Sequence, residues 1–284
     1  MAIKKVGVVG AGLMGSGIAQ TSAQAGYETI MSEINDQFLK KGMDMIKGNL
    51  TMLVGKGKMQ QSEMDSIMGR IKGTTNTQDF KDVDVIIEAA VENMELKKKI
   101  FADLDQICPP HCILSTNSSS LSVIDLAMAT KRPDKVLGMH FFNPVPVMKL
   151  LELVKTIVTT EETLNVAREF GVAAQKTVIV AKDAPAYIVN RLLIPYLMES
   201  IRLYESGYAS KEDIDNGMRL GCNYPMGPLT LLDFVGLDTA YYAASAMYNE
   251  LHEAHMLPPL LLKKMVAAGQ LGRKSGKGFY DYSK

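Results

Sequence analysis

The sequence predicts an α/β protein: a doubly wound parallel sheet over residues 1–183, followed by an all-α domain over residues 184–284. Three observations carry that prediction. A glycine-rich turn joins an apolar strand to a helix near the N-terminus, strand signals alternate with helical periodicity as far as Ala181, and no β-branched alternation returns after Asp183-Ala-Pro185.

The first strand and its turn read Val6-Gly-Val-Val-Gly10-Ala-Gly12-Leu13-Met14-Gly15. An apolar run that leads directly into G-x-G-x-x-G has the order of a dinucleotide fingerprint, as in Rossmann-type domains. Gly10 allows a tight turn, Gly12 a close approach of backbone N–H groups to a pyrophosphate, and Gly15 the packing of the next helix on the strand. Leu13 and Met14 complete the turn, and its helix N-terminus favours an anion. After that helix, Tyr27-Glu-Thr-Ile-Met-Ser32 reads as the second strand and ends at Glu33. A carboxylate about twenty residues beyond the glycines suits ribose hydroxyls and repels a 2′-phosphate.

Asn35 or Asp36 caps the next helix, whose apolar positions are Phe38, Met43, Ile46, Leu50 and Leu53. It ends at Val54-Gly-Lys56-Gly-Lys58, and a second helical stretch from Ser62 continues through Met64, Ile67, Met68 and Ile71. Together they predict a helical hairpin inserted between strands. The two lysines are either solvated or cations for a phosphorylated ligand.

Val83–Ile87 is the next strand; it leads into Glu88-Ala-Ala-Val-Glu92, with Lys97 on the following helix. Ligands of such sheets bind beyond the carboxyl ends of the strands. Glu92 and Lys97 are therefore candidates for the nicotinamide half of a cofactor, although Lys97 reads equally as a solvated helix lysine. The strand Cys112–Ser115 opens into Thr116-Asn-Ser-Ser119-Ser, either a helix cap or a set of donors for a carbonyl.

In Val136 to Val154, two apolar runs flank a loop with two prolines, and His140 and Glu152 stand six residues either side of Pro146. Folded back about that proline, the pair lies opposite, with Cβ atoms about 5 Å apart. Imidazole and carboxylate satisfy one another inside apolar strands. The pair is either a structural tie or an acid/base with its orienting carboxylate, and its place beside the crevice favours catalysis. A last αβ unit, Glu161–Gln175 with Thr177–Ala181, completes the sheet.

Beyond Pro185 the chain reads as helices: Tyr187–Ser206, a Ser210 capping box running to Gly221, a run after Pro228, and Leu260–Ala268. The stretch Tyr187–Pro195 is almost wholly apolar on both faces apart from Asn190 and Arg191, so it should be buried between the domains or against a partner. Asn190 either satisfies local backbone or reaches a substrate carbonyl. The basic tail Leu271–Tyr282 is either mobile or docked by its aromatics.

Composition excludes several classes. Thirty-one basic and 31 acidic residues cancel, which argues against nucleic-acid or membrane partners. No apolar run is long enough to span a bilayer, and the N-terminal residues enter a strand rather than a signal sequence, so the cytoplasm is the expected compartment. Cys108, Cys112 and Cys222 lack zinc spacing, and His252 and His255 lack a third ligand, so no metal is expected.

With these motifs in view the chain resembles the short-chain L-3-hydroxyacyl-CoA dehydrogenases over essentially its whole length. The likeness rests on Gly10–Ala19, Glu88–Glu92, Thr116–Leu121, Gly138–Lys149, Ile188–Leu192, Tyr224–Pro228 and Gly272–Tyr280. It implies NAD-dependent hydride transfer between 3-hydroxybutyryl-CoA and acetoacetyl-CoA in short-chain fatty acid metabolism, in a homodimer built on the helical domain. It also implies that His140 is the acid/base, Glu152 its orienter, and Ser119 and Asn190 the contacts to substrate oxygens. Glu33, Glu92, Lys97, Ser119, Asn143 and Lys274 fall where the family contacts NAD, and Asn49 and Lys56 where it contacts coenzyme A. Glu33 and Asn49 depart from the aspartate and serine common at those positions. The alternatives are an NAD(P)-dependent dehydrogenase of another hydroxy acid, or a non-catalytic NAD-binding protein.

Overall fold

A computed structural model describes residues 3–283. The chain forms two compact units, Met1–Ala184 and Pro185–Lys284.

The first unit is built on an eight-stranded sheet: β1 (Lys5–Val9), β2 (Glu28–Ser32), β3 (Ile71–Thr74), β4 (Val85–Glu88), β5 (Ile113–Thr116), β6 (Val136–Phe141), β7 (Leu150–Lys155) and β8 (Thr177–Lys182), in the order β3-β2-β1-β4-β5-β6-β7-β8. From β3 to β6 every pairing is parallel, and the order reverses beside β1. β7 runs antiparallel to β6, as the fold-back about Pro146 predicts, and β8 parallel to β7, so the otherwise parallel sheet is mixed at that edge. The cause lies in the connection. The turn between β6 and β7 is too short for the crossover that a parallel pair requires.

Helix α1 (Leu13–Gln24) packs on β1 and β2, and α2 (Asp36–Gly55) with α3 (Gln61–Gly69) forms the expected helical hairpin. The Asn35 side chain caps α2 by accepting the Phe38 N–H at 2.9 Å. The helix expected to continue through Ile71 stops at Gly69. Ile71 instead opens edge strand β3, where its side chain joins the same core as Met64 and Ile67. α4 (Met94–Ile107), α5 (Val123–Ala127) and α6 (Glu161–Ala173) complete the unit. Val6, Val8, Ile18, Ile46 and Leu50 are fully buried in the core beneath α1 and α2. Truncating Ile46 or Leu50 to alanine should cost about 2–5 kcal/mol.

The second unit holds α7 (Val189–Glu205), α8 (Lys211–Asn216) continued by a π turn to Gly221, α9 (Pro228–Val235), α10 (Leu237–Leu251) and α11 (Leu260–Ala267). α7 buries apolar side chains within its unit and leaves others open. Ile194, Leu197, Met198 and Ile201 are buried, while Leu192 is 73% exposed. The basic tail is docked: buried Asp233 accepts the N–H groups of Phe279 and Tyr280, each at 2.9 Å, and the Tyr282 hydroxyl at 3.1 Å. Burial holds the Asp233 carboxyl above its usual range against those three donors. Among the described residues no helix is long and apolar enough to cross a membrane, and no group of His, Cys, Asp and Glu could hold a metal ion.

Candidate active site

The glycine turn leaves β1 at the carboxyl edge of the sheet. Gly10 has φ +101°, and a Cβ there would stand 2.7 Å from the Ala89 carbonyl oxygen; at Gly15 a Cβ would lie 1.9 Å from the Gly10 carbonyl oxygen. Protein packing thus demands both glycines. A Cβ on Gly12 would meet no protein atom within 4 Å, so the protein itself does not require glycine there. That contrast fits a dinucleotide, whose pyrophosphate needs the backbone bare at the middle glycine. Glu33 is tied to the same turn: its Oε2 accepts the Ala11 N–H at 2.9 Å and its Oε1 the Ile34 N–H at 2.8 Å. Each oxygen keeps acceptor capacity for a ribose hydroxyl.

Beyond β4 and β5 the loops are joined through Glu92, which accepts the hydroxyls of Ser118 and, at 3.3 Å, Ser120. Half-buried Ser119 sits between those two serines. Asn117 accepts the Phe141 N–H at 2.9 Å, which stitches the serine loop to the strand carrying His140. Lys97, expected at the cofactor, has its ammonium turned inward. It is 1% exposed and lies 2.7 and 2.9 Å from the two carboxylate oxygens of Glu88, with the Ala90 carbonyl at 3.3 Å.

His140 and Glu152 are register partners across the β6–β7 ladder, as the symmetric spacing about Pro146 predicts. The imidazole Nδ1 lies 2.6 Å from Glu152 Oε2; Glu152 is fully buried and His140 nearly so. The Phe142 ring packs on the imidazole at 4.5 Å between centroids. This arrangement holds one ring nitrogen against a carboxylate, fixing tautomer and orientation, and supports a cation on the ring. Asn143 is exposed at the start of the turn, and its peptide bond to Pro144 is cis.

On the helical hairpin, the Asn49 amide reaches the Gln20 side chain at 3.5 Å, and Lys56 is exposed at the C-terminal end of α2. In the second unit, Asn190 is half-buried in the first turn of α7, and Lys274 pairs with Asp238 at 2.5 Å. Sequence reasoning overlooked Glu88 and Asp233 as anchoring carboxylates. The available signal was the same at both: one acid inside a strongly apolar stretch, Val85-Ile-Ile-Glu88 and Leu231-Leu-Asp233-Phe.

Residues 5–184 match the family described as 3-hydroxyacyl-CoA dehydrogenase, NAD binding domain, and residues 187–282 match 3-hydroxyacyl-CoA dehydrogenase, C-terminal domain. The chain therefore belongs to the 3-hydroxyacyl-CoA dehydrogenase family, and it is an NAD-binding oxidoreductase. Among its relatives, a 3-hydroxybutyryl-CoA dehydrogenase of Clostridioides difficile is 45% identical over 280 residues, covering 99% of this chain and 100% of that one. One from Mycobacterium tuberculosis is 46% identical over 283 residues, covering 99% of each. The crystal structure of (S)-3-hydroxybutyryl-CoA dehydrogenase PaaH1 from Ralstonia eutropha superposes with a TM-score of 0.97 at 43% identity, covering all of both chains.

Proposed function

We propose that this chain is an NAD-dependent (S)-3-hydroxybutyryl-CoA dehydrogenase that interconverts 3-hydroxybutyryl-CoA and acetoacetyl-CoA. The observation that carries the reading is the buried His140–Glu152 pair, on a strand stitched to the serine loop at the carboxyl edge of a sheet that bears a dinucleotide turn.

No side chain accepts a hydride, so bound NAD supplies that chemistry. The chain handles the proton. With Nδ1–H donated to Glu152, the lone pair falls on Nε2, which takes the substrate's hydroxyl proton during oxidation and returns it during reduction. Glu152 stabilises the imidazolium between those events. The family resemblance gives Ser119 and Asn190 to the substrate's oxygen atoms. The turn from Gly10 through Gly12, Leu13, Met14 and Gly15 holds the dinucleotide's phosphates, Glu33 its adenosine ribose, and Glu92, Ser119, Asn143 and Lys274 its nicotinamide half. Lys97 belongs to that half through Glu92, whose Oε2 lies 3.5 Å from its ammonium. Asn49 and Lys56 take the nucleotide end of coenzyme A.

The enzyme works in the cytoplasm as a homodimer formed through its helical unit. Leu192, Leu220, Phe234 and Tyr242 support that surface, since each is at least 60% exposed on the single chain. The test of the whole reading is oxidation of NADH and of NADPH with acetoacetyl-CoA against free acetoacetate. Turnover confined to NADH with the thioester is expected. Equal turnover of the free acid would make the protein a general hydroxy-acid dehydrogenase, and NADH binding without any turnover would make it a non-catalytic dinucleotide-binding protein.

A further inference from the structure

Glu88 closes the central strand β4 and is wholly buried, and its carboxylate ties together the loop after β4, helix α4 and the end of β5. Its Oε1 accepts the Lys97 ammonium and the Ala90 N–H, both at 2.7 Å. Its Oε2 accepts Lys97 at 2.9 Å and the Thr116 hydroxyl at 2.7 Å. From there the network runs outward in two directions. Lys97 reaches the Ala90 carbonyl at 3.3 Å and the Glu92 carboxylate at 3.5 Å, and the Thr116 oxygen accepts the Ser118 N–H at 3.1 Å. Glu92 and Ser118 are themselves hydrogen bonded, so the two arms close into a ring.

A charge pair this deep is a poor way to gain stability, because desolvating both ions offsets most of their attraction and apolar residues of like volume do as well. What the pair does achieve is geometric. One carboxylate sets the start of the 89–93 loop, the first turns of α4 and the start of the serine loop at the same time.

We propose that Glu88 is a positioning residue of the reaction, acting through Lys97 and Thr116 to fix Glu92 and the serine loop in place. The inference rests on the assignment of Glu92 and Ser119 to the nicotinamide half of the cofactor. Glu88 is wholly buried, so it acts through the residues it holds. Its effect is therefore confined to the half of the dinucleotide that those loops meet, while the adenosine half depends on the glycine turn and Glu33.

The test compares ligands that differ in that half. Wild type and the double variant Glu88→Gln/Lys97→Met, which removes both charges together, are titrated with NADH and with ADP-ribose, and kcat is measured with acetoacetyl-CoA. The double variant should bind NADH about fivefold more weakly, the loss of one modest hydrogen bond, with ADP-ribose affinity unchanged. Its kcat should fall about tenfold or more, as small misplacements of reacting groups cause. A lowered melting temperature with NADH affinity and kcat at wild-type values would overturn the proposal, and so would equal weakening of both ligands. If the double variant does not fold, Thr116→Val carries the same test on one arm, and Thr116→Ser should restore both NADH affinity and kcat; wild-type values for Thr116→Val would then refute it. Failure of the underlying functional reading is distinguishable, since wild type itself would then show no turnover of acetoacetyl-CoA.

Discussion

Glu152 holds His140 by Nδ1 at 2.6 Å, from the residue directly opposite in an antiparallel pair of strands. In the proposed reaction the proton-handling nitrogen is therefore Nε2. His140→Gln should lower kcat by about 10²- to 10⁴-fold, the usual contribution of a general acid/base. NADH affinity, measured by fluorescence titration, should stay at the wild-type value, because the dinucleotide rests on the glycine turn. A kcat loss below about tenfold would remove His140 from the proton transfer.

Glu152→Gln keeps the shape of the pair and removes its charge. The amide stabilises an imidazolium less well than a carboxylate does, so kcat should fall steeply. A fully active variant that melts at lower temperature would show the pair to be only a structural tie.

Glu33 sits against the Ala11 N–H with acceptor capacity to spare, and its charge opposes a 2′-phosphate. The ratio of kcat/KM for NADH over NADPH should be well above one and should shrink in Glu33→Ser. Equal efficiencies with the two cofactors in wild type would show that the carboxylate serves the turn alone.

Lys56 lies exposed at the end of α2. A contact from there to a solvated phosphate is worth about 1 kcal/mol or less. Lys56→Ala should raise KM for acetoacetyl-CoA by up to about fivefold, more at low salt, with kcat unchanged. A truncated thioester lacking the nucleotide should give the same KM with both proteins. If that substrate responds too, or if neither does, the coenzyme A end lies elsewhere.

Asp84 accepts the N–H groups of Lys4 and Lys5 at 2.7 and 2.9 Å and faces His111 at 3.0 Å. Burial opposes its ionisation, but those backbone N–H groups and His111 outweigh burial and hold the carboxyl below its usual value. A depressed folded-state pKa contributes stability that is present above the unfolded value and lost as pH falls through the folded one. Melting temperature should therefore drop more steeply between about pH 5 and pH 3 in wild type than in Asp84→Asn. Parallel curves would contradict that linkage.

The features legible in the sequence were those whose partners lie close along the chain. The His140–Glu152 pairing followed from two ionisable residues placed evenly about one proline. The glycine turn and Glu33 followed from a single βαβ unit. Four-residue β3 was hidden, because Ile71 continues the helical count of Met64, Ile67 and Met68, and Gly73 weakens its strand signal. The direction of β8 was hidden as well. Its αβ unit looks like the earlier ones, and only the reversal at β7 turns it round. Lys97 reads as a cofactor contact or a solvated lysine; that Glu88 is wholly buried and draws the ammonium inward was signalled only by the apolar residues Val85, Ile86 and Ile87 before it.

The hairpin that carries His140 and Glu152 also imposes a rule of parity on its own turn. Surface loops normally tolerate changes of length, and this one ends in exposed residues such as Val147. A single inserted residue here has two outlets. Either the turn bulges to absorb it, or the ladder slips by one place and the Glu152 side chain passes to the opposite face of the sheet. The second outlet leaves a stable sheet whose histidine has lost its carboxylate. Relatives should therefore vary this turn in steps of two residues or carry a bulge beside it, and an engineered single insertion should separate folding from turnover.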